Sequence, residues 1–443
     1  MEKTQKVSTK KKALGWGFHQ QNWMAFVAVH NPKAKLRDLR VPGTHNSASS
    51  TITSTFSSFA RCQDLSITEQ LCSGVRFFDI RCGRATAKNQ GHAIHHGPFA
   101  GGSIIQVFKD IVAFAKDHPK EFIIVDLINE SGRQLRDGQK LDLFTKVAKL
   151  VSGIVVKATD LDYKKFLAKS ATIGKVSSDK RCLMILIDED FYEPEDPKRV
   201  HPKVKTLFSN LPSMGFLNRK EVIESTWHDE ENKNELLRKN RENCLNSEKQ
   251  KEKYIVHQMT MTPSFKGISD TLKNYKKFNP SIKSKELIKD KSLHKLLGQD
   301  KFLGKDIKLN WNIVWFDFVD TVPILVDYLV GLNFPYPLVI KKAIVHTAMT
   351  ADSEPDHSLD RKKVIQDLVK GRGRGNSLFL VDLVEDLKLE KIKFKVVALQ
   401  IDYQFGDKSL GISGDAIDCG YAPPKALHKN EMFLFNFTRV REC

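Results

Sequence analysis

The stretch SIIQVFKDIVAFAKDHPKEFIIVDLI (residues 103–128) joins an amphipathic helix to a buried strand. Apolar residues recur at Ile104, Phe108 and Ile111, which is helical spacing, and Pro119 ends the helix. The run EFIIVDLI that follows has the length and composition of a buried strand. A helix that leads into such a strand is typical of the βα units that build parallel sheets.

The same alternation continues on both sides of this stretch. A helical segment is predicted at about 138–151, and another closes at Gly74, a frequent helix terminator. About seven strands fall within the first 320 residues, so we predict an α/β fold, a TIM-like (β/α) barrel that need not be regular. The other predicted strands are LRDLRVP (36–42), VRFFDIR (75–81), AIHH (93–96), RCLMILID (181–188), KYIVHQMT (253–260) and NIVWFDFV (312–319).

Changes in composition suggest how the chain is divided. Residues 1–18 are predicted to be a basic flexible arm, and residues 19–333 the barrel. The barrel carries a Lys-rich insertion at about 228–310. The aromatic residues and positive charge of its later part, residues 265–310, make that Lys-rich segment a candidate membrane-facing surface or simply a solvated insertion. Beyond the prolines of FPYP (334–337), residues 338–443 are predicted to form a small β-rich accessory domain.

The net charge of +18 and the pI near 9.4 favour anionic partners such as nucleic acid, anionic lipid or phosphorylated substrates. No apolar run approaches the 18 or so residues that span a bilayer, and no hydrophobic core of a signal peptide follows the basic N-terminus. We therefore expect a cytoplasmic protein that associates peripherally with membranes, although secretion without a standard signal remains open.

Seven cysteines are widely spaced and include no CxxC pair. An odd count cannot form a wholly paired disulfide framework, so reduced and mostly structural thiols are expected. The cysteine spacing also predicts no zinc site.

Four motifs occur in a distinctive order: LRVPGTHNS (39–47), SITEQLCSGVRFFDIR (66–81), HHGP (95–98) and IVWFDFV (313–319). In this order they resemble the X domain of phosphatidylinositol-specific phospholipase C, over roughly residues 20–330. The likeness is greater to the bacterial and X-domain-only enzymes than to the large multidomain eukaryotic ones. It implies a barrel enzyme that cleaves phosphatidylinositol-type lipids to diacylglycerol and a cyclic inositol phosphate.

Such a reaction needs a base, an acid and a cation. A ring hydroxyl cis to the phosphate attacks intramolecularly after a base removes its proton, and an acid protonates the departing alkoxide. Two histidines suit the first two tasks because imidazole titrates near neutral pH. An arginine can hold the phosphoryl oxygens without a metal ion.

The resemblance assigns these roles to particular residues. His45 is the general base, His96 the general acid and Arg81 the phosphate ligand, with Asp79 in the polar network around the base. Asp317 is expected to hydrogen-bond the general base. Asp320 is its nearest competitor, and His95, which points away from His96 on an extended segment, is expected to be structural.

The chain departs from the family pattern beside the first histidine. Bacterial members have Asp there, supporting the general acid, whereas this chain has Asn46. Calcium-dependent members use Asn at that position, but they also need a carboxylate where Arg81 stands, and a guanidinium cannot bind Ca²⁺. We therefore expect no cofactor, with Ca²⁺ as the alternative, and place Asn46, Trp227 and Asp229 among the substrate-binding residues.

Three readings stay open at the level of sequence. The first is the phospholipase C. The second is a related phosphodiesterase acting on another phosphodiester lipid, and the third is a catalytically silent module that binds phosphoinositides or membranes. Under the first two, the partners are a phospholipid substrate and an anionic membrane surface. No nucleic-acid-binding motif supports a nucleic-acid partner, and the sequence does not indicate an oligomeric state.

Overall fold

The computed structural model describes residues 21–53, 60–85, 91–160, 171–196, 198, 201–226, 228, 230, 232–246, 253–260, 312–321, 326, 329–330, 333, 338–348, 357–360, 363, 380–382, 395–405, 413–414 and 432–434. The predicted N-terminal arm and most of the Lys-rich insertion lie outside these residues.

Ten strands form the principal sheet. They are β1 (Val41–Thr44), β2 (Phe77–Arg84), β3 (His92–His96), β4 (Phe99–Ala100), β5 (Ile123–Asn129), β6 (Leu183–Ile187), β7 (Phe216–Asn218), β8 (Ile223–Ser225), β9 (Tyr254–Met259) and β10 (Ile313–Phe316).

Eight of these strands run parallel in the order β7-β6-β5-β2-β1-β10-β9-β8. Pairing of β10 with β1 brings the last strand of the sheet next to the first, so the sheet curls around as a barrel wall. Among the described residues no pair joins β7 to β8, and the barrel is open there. The predicted irregular α/β barrel is thus confirmed.

Helices cover the outside of this sheet. They are α1 (Trp23–His30), α2 (Ile67–Cys72), α3 (Ile104–Asp117), α4 (Asp137–Val151), α5 (Ile173–Ser178), α6 (Pro202–Met214), α7 (Arg219–Val222) and α8 (Lys233–Asn246). Of the helices in the described part of the chain, none is both long and apolar enough to cross a bilayer.

Local sequence explains where the best-defined helices begin. Ser66 caps α2 by accepting a hydrogen bond from the Glu69 amide, while the Glu69 side chain accepts one from the Ser66 amide. Ser103 caps α3 in the same way through the Gln106 amide. The apolar stripe of α3 is buried, and the helix contacts α2, α4 and β3. The central residues of β5 and β6 are buried on both faces, as parallel strands between layers require.

The structure differs from the sequence prediction at two strands. The segment 36–42 begins as a 3₁₀ turn at Leu36–Asp38, so β1 starts only at Val41. The predicted strand at 93–96 is β3, which pairs antiparallel with β2 and lies outside the parallel set. Its hairpin position follows from the short connection to β2, because a parallel pairing needs a longer crossover.

The C-terminal part of the described chain is antiparallel. Strand β11 (Leu338–Ala348) pairs with β12 (His357–Asp360) and β14 (Lys395–Phe405), which also pairs with β15 (Ser413–Gly414). A separate pair joins β13 (Leu380–Asp382) and β16 (Met432–Leu434). These strands agree with the β-rich character predicted for residues 338–443, whose status as an accessory domain stays a prediction.

Candidate active site

His45 follows β1 directly, at the carboxyl end of the barrel, where barrel enzymes place their active sites. Its backbone amide donates to the carbonyl of Phe316 at the end of the neighbouring β10, 3.1 Å away. This pairing brings Asp317, the next residue, against the imidazole. Asp317 Oδ1 lies 2.8 Å from His45 Nδ1, and both side chains are buried.

The hydrogen bonds fix the tautomer of His45. Arg81 places a terminal guanidinium nitrogen (Nη2) 2.9 Å from His45 Nε2. A guanidinium can only donate, so Nε2 must be the acceptor, and the ring proton must therefore be on Nδ1. Nδ1–H then donates to the Asp317 carboxylate. A neutral imidazole with its lone pair on Nε2, facing the phosphate-binding candidate, is the arrangement that a general base requires.

Asp79 connects Arg81 to the loop that carries His45. Its Oδ2 accepts from Arg81 Nε at 3.3 Å and from the Asn46 amide at 2.9 Å. Burial acts to lower the pKa of Arg81, but the charges of Asp79 and Glu130 outweigh it, so the pKa is raised and the guanidinium stays charged. Arg81 is therefore a permanent cation at the centre of the site.

Two left-handed residues shape the loops after β1 and β10. Asn46 has φ of 42° and Phe318 has φ of 49°, and each comes directly after a polar residue of the site. Gln63 braces both loops from beneath: its amide nitrogen donates to the carbonyls of His45 and Phe316, at 3.1 and 2.7 Å, and its oxygen accepts from the Val319 amide. Backbone conformations of this kind persist only where surrounding contacts hold them, and Gln63 supplies such contacts.

His96 ends β3 and faces His45 across the site, with ring centroids 6.1 Å apart. Its Nδ1 is 2.7 Å from the carbonyl oxygen of Ala60 and 3.8 Å from Cys62 Sγ. The carbonyl accepts, so Nδ1 carries a proton and Nε2 is the atom available for proton transfer. Burial, with Arg81 and His45 as further causes, lowers the pKa of His96 to about 4.

Asn46 and His95 differ in the hydrogen bonds that their side chains make. Asn46 is fully buried, and neither polar atom of its side chain has a hydrogen-bond partner within the described part of the protein. A buried unsatisfied amide beside the base fits the predicted substrate contact. His95 Nε2 donates to the carbonyl of Arg84 at 2.7 Å, away from His96, which fits the structural role predicted for it. Trp227 and Asp229, also predicted to bind substrate, lie outside the described residues.

A second charged cluster, which was not predicted from the sequence, lies within β5 and directly after β6 and β7. Arg219 Nε lies 2.9 Å from both carboxylate oxygens of Asp126, which neighbours Asp79 across the β2–β5 pair. Asp188 accepts from the Asn129 amide, and burial raises the pKa of Asp188 to about 7. An aspartate inside the apolar run EFIIVDLI was a signal for this cluster, whereas nothing in the sequence marked Arg219.

Glu130 and Cys62 were also missed. Glu130 Oε1 accepts from the amide of Gly97, which has φ of 54°, and so holds the turn after His96. Cys62 is buried between the two histidines. Neither residue belongs to the four motifs. Their contacts with Gly97 and His96 join segments that are distant in the sequence and meet only in the folded chain.

Comparison with known proteins relates part of the chain to one family. Residues 39–144 match the family model described as "Phosphatidylinositol-specific phospholipase C, X domain". The X-domain resemblance is confirmed over this segment. It contains His45, Asp79, Arg81 and His96, while Asp317 lies beyond it.

Curated relatives match over a similar segment. A 1-phosphatidylinositol phosphodiesterase of Staphylococcus aureus (strain Newman) is 33% identical over 109 residues, which are 24% of this chain and 33% of the relative. One from Listeria monocytogenes is 39% identical over 99 residues, 21% of this chain and 29% of the relative. The alignments thus span about a third of the length of these relatives.

Among solved structures, phosphatidylinositol-specific phospholipase C from Listeria monocytogenes superposes with a TM-score of 0.48 and 18% identity. The superposition covers 72% of this chain and 99% of that chain.

Proposed function

We propose that the protein is a phosphoric diester hydrolase that cleaves phosphatidylinositol-type lipids to diacylglycerol and cyclic inositol phosphate. The observation that carries the proposal is the opposition of His45 and His96 across 6.1 Å, with the Arg81 guanidinium bonded to the base between them. An acid and a base on opposite sides of a cation are placed to act on the two sides of a phosphate that the cation holds. The names of the relatives support phosphatidylinositol as the substrate class.

Arg81 is the first group to respond to the substrate. In the free protein it donates to His45 Nε2, the atom that must act as base. A phosphodiester anion is a stronger acceptor than a neutral imidazole, so it draws the guanidinium onto its own oxygens. Substrate binding thus places the cation on the phosphate and frees the lone pair of His45 in one movement.

His45 then removes the proton of the ring hydroxyl cis to the phosphate. The imidazolium that forms is stabilised by Asp317, whose carboxylate already accepts from Nδ1 at 2.8 Å. The hydroxyl oxygen attacks phosphorus within the same molecule, which avoids most of the entropic cost of a separate nucleophile.

His96 donates its Nε2 proton to the glycerol oxygen as that oxygen leaves. The Ala60 carbonyl holds the ring by its Nδ1 proton, so Nε2 faces the site in the protonated form as well. Hydrolysis of the cyclic product would use the two histidines in reverse roles.

We also propose that this chemistry needs no metal ion, since Arg81 supplies the positive charge that Ca²⁺ supplies elsewhere in the family. Asn46, Trp227 and Asp229 are proposed to contact the head group. The protein is proposed to work in the cytoplasm, at the surface of anionic membranes, to which its net charge of +18 attracts it.

A head-group screen tests the proposal. Vesicles of a single diacyl phospholipid class, offered in parallel, should yield diacylglycerol only with inositol head groups, and ³¹P NMR should show a cyclic phosphodiester before any monoester. His45→Ala and His96→Ala should each lower turnover by about 10²–10⁴-fold. His92→Ala, on the same strand as His96 but bonded to Asp142, is the matched control and should remain active. Cleavage of another head group in preference would sink the substrate assignment.

A further inference from the structure

The proposed base and two neighbouring side chains form a cluster of three potential metal ligands. His45 Nδ1, Cys62 Sγ and an Asp317 carboxylate oxygen all lie within 4.8 Å of one another. All three residues are buried, at 4%, 6% and 5% exposure. They come from the loop after β1, the segment before α2 and the loop after β10, so only the fold brings them together.

We propose that His45, Cys62 and Asp317 form a binding site for Zn²⁺ or a similar thiophilic divalent cation, and that its occupation switches the base off. The sequence contains no closely spaced cysteine pair and so predicted no zinc site, whereas these three ligands are far apart in the chain and meet only in the fold. The site shares His45 and Asp317 with the proposed catalytic chemistry, and the bound cation is an inhibitor of that chemistry rather than a participant in it.

The ligand types select the cation. Zinc accepts imidazole nitrogen, thiolate sulfur and carboxylate oxygen, commonly with three protein ligands and a water molecule as the fourth. Ca²⁺ and Mg²⁺ require six or more oxygen ligands, and a thiol with an imidazole does not provide them. His45 Nδ1 and Asp317 Oδ1 are only 2.8 Å apart, so a cation that replaces the proton between them moves these atoms only slightly.

The proton balance explains how the cation inhibits. Cys62 loses its thiol proton to solvent as the Zn–S bond forms. His45 gives up Nδ1 to the metal, and its ring proton reappears on Nε2, so the imidazole stays neutral and one proton is released per ion bound. A protonated Nε2 can neither accept from Arg81 nor take a proton from the substrate hydroxyl.

The charges around Cys62 suit a bound divalent cation. Burial and the Asp317 and Asp79 carboxylates raise the pKa of the Cys62 thiol, while Arg81 lowers it, and His96 Nδ1 also faces the sulfur. The two carboxylates that disfavour a thiolate favour a divalent cation.

Metal binding can be measured without any enzyme assay. The full chain is titrated with Zn²⁺ by calorimetry in buffers of different ionisation enthalpy, and with Co²⁺ while the near-ultraviolet spectrum is recorded. We expect release of one proton per tightly bound Zn²⁺ and a sulfur-to-cobalt charge-transfer band. Cys62→Ser should abolish the band and weaken zinc binding by more than about tenfold, since even indirect partners of metal ligands are worth 10–100-fold.

Cys182→Ser is the matched control, because Cys182 is an equally buried thiol at the start of β6. It should keep both the cobalt band and the zinc affinity. Should Cys62→Ser fail to fold, Asp317→Asn is titrated instead, with the same expected loss of affinity. A wild-type protein without a thiolate–cobalt band, or variants that bind zinc as tightly as the wild type, would overturn the proposal.

An activity assay with and without zinc distinguishes a failure of this inference from a failure of the proposed function. Zinc should inhibit cleavage, and EGTA, which also binds zinc, should restore the full rate. A protein that binds zinc through Cys62 but cleaves no lipid even when zinc-free would contradict the proposed function alone. A protein that cleaves lipid and is not inhibited when zinc is bound would contradict only the switch.

Discussion

The hydrogen bond between His45 and Asp317 makes a testable distinction between two aspartates. Asp317→Asn removes the charge that stabilises the imidazolium, and the amide can donate to Nδ1 and so favour the wrong tautomer. We expect kcat to fall by about 10²–10⁴-fold with little change in KM. Asp320→Asn, three residues later, is the matched control and should stay within a few-fold of wild type. Equal losses in the two variants would contradict the role of Asp317.

The lowered pKa of His96 predicts an unusual pH profile. An acid catalyst acts in its protonated form, and above its pKa of about 4 that fraction falls as pH rises. The ratio kcat/KM reports the pKa values of the free enzyme. It should therefore begin to decline at an acidic pH, near the pKa of His96, and continue to fall as the pH rises. In the enzyme–substrate complex the phosphate anion offsets the charge of Arg81, which is one of the causes that lower the pKa of His96. The basic limb of the kcat profile should therefore lie at higher pH than that of kcat/KM.

An aryl phosphodiester of inositol provides the control for this profile. Its phenolate leaves without protonation, so the basic limb attributed to His96 should disappear, and His96→Ala should lose far less activity than with the lipid. A limb that persists unchanged with the aryl substrate would mean that another group titrates.

At the scale of single residues, the sequence predicted the site residues that belong to motifs shared with the X-domain family. These residues are His45, Asp79, Arg81, His96 and Asp317, and the structure brings all five together. Cys62 and Glu130 could not be predicted, since nothing local marks them. The contact of Arg81 with the base was equally out of reach, because it depends on a side-chain conformation that only the folded site defines.

Strand β2 carries both Asp79 and Arg81, and Gly83 lets the backbone of this strand lie close to Arg133. A Cβ at Gly83 would lie 2.7 Å from the carbonyl oxygen of Arg133 and 2.9 Å from its Cβ, so the backbone would have to shift. We expect Gly83→Ala to lower the free energy of unfolding by about 1–3 kcal/mol. Urea denaturation measures this loss of unfolding free energy. Turnover should fall as well, because Arg81 is two residues away on the same strand.

Gly138 offers the opposite case within α4. Nothing lies within 4 Å of a Cβ built there, and the residue is exposed in the first turn of the helix. Gly138→Ala should therefore stabilise the protein by about 0.4–1 kcal/mol. If both alanine variants lost stability equally, crowding at Gly83 would not be the cause.

At the scale of elements, periodicity identified the helices and buried strands well. The helix predicted at about 138–151 is α4, at Asp137–Val151. The short strands β7 and β8 were not predicted, because three residues each are too few for a pattern to emerge. The antiparallel direction of β3 also escaped prediction, since strand direction depends on connection length and pairing rather than on composition.

For the whole barrel, a buried ion pair fixes the N-terminal helix to the sheet. Arg76 Nε donates to Glu121 at 2.8 Å, and Glu121 also accepts from the Ala25 amide of α1 at 2.9 Å. Removing one member leaves a buried charge without its partner, so Glu121→Ala should cost about 3–5 kcal/mol in unfolding free energy. Glu195, which pairs with Arg136 at the surface, is the control, and Glu195→Ala should cost less than about 1 kcal/mol.

The proposed attachment to anionic membranes concerns the whole molecule, whose net charge is +18. The proposed substrate is a membrane lipid, so a surface of the protein must hold the open end of the barrel near the bilayer. Lys residues close to an anionic leaflet contribute about 1 kcal/mol each, within a Debye length. The Lys-rich segment 265–310 and the basic N-terminus are the sequence features that could supply them. Sedimentation with phosphatidylserine-containing vesicles should therefore weaken strongly from low to high salt.

Charge reversal distinguishes this segment from the rest of the basic surface. Replacing Lys276, Lys277, Lys283 and Lys285 with Glu should reduce vesicle binding and spare cleavage of a soluble short-chain substrate. A control of equal charge change reverses Lys116, Lys120, Lys175 and Lys180, which are exposed. Lys120 and Lys180 precede the amino ends of β5 and β6, at the end of the barrel opposite the site. Since both variants carry the same net charge, equal loss of binding would mean that overall charge alone attracts the protein. Unchanged binding in the first variant would instead direct the search for the anchor to residues 338–443.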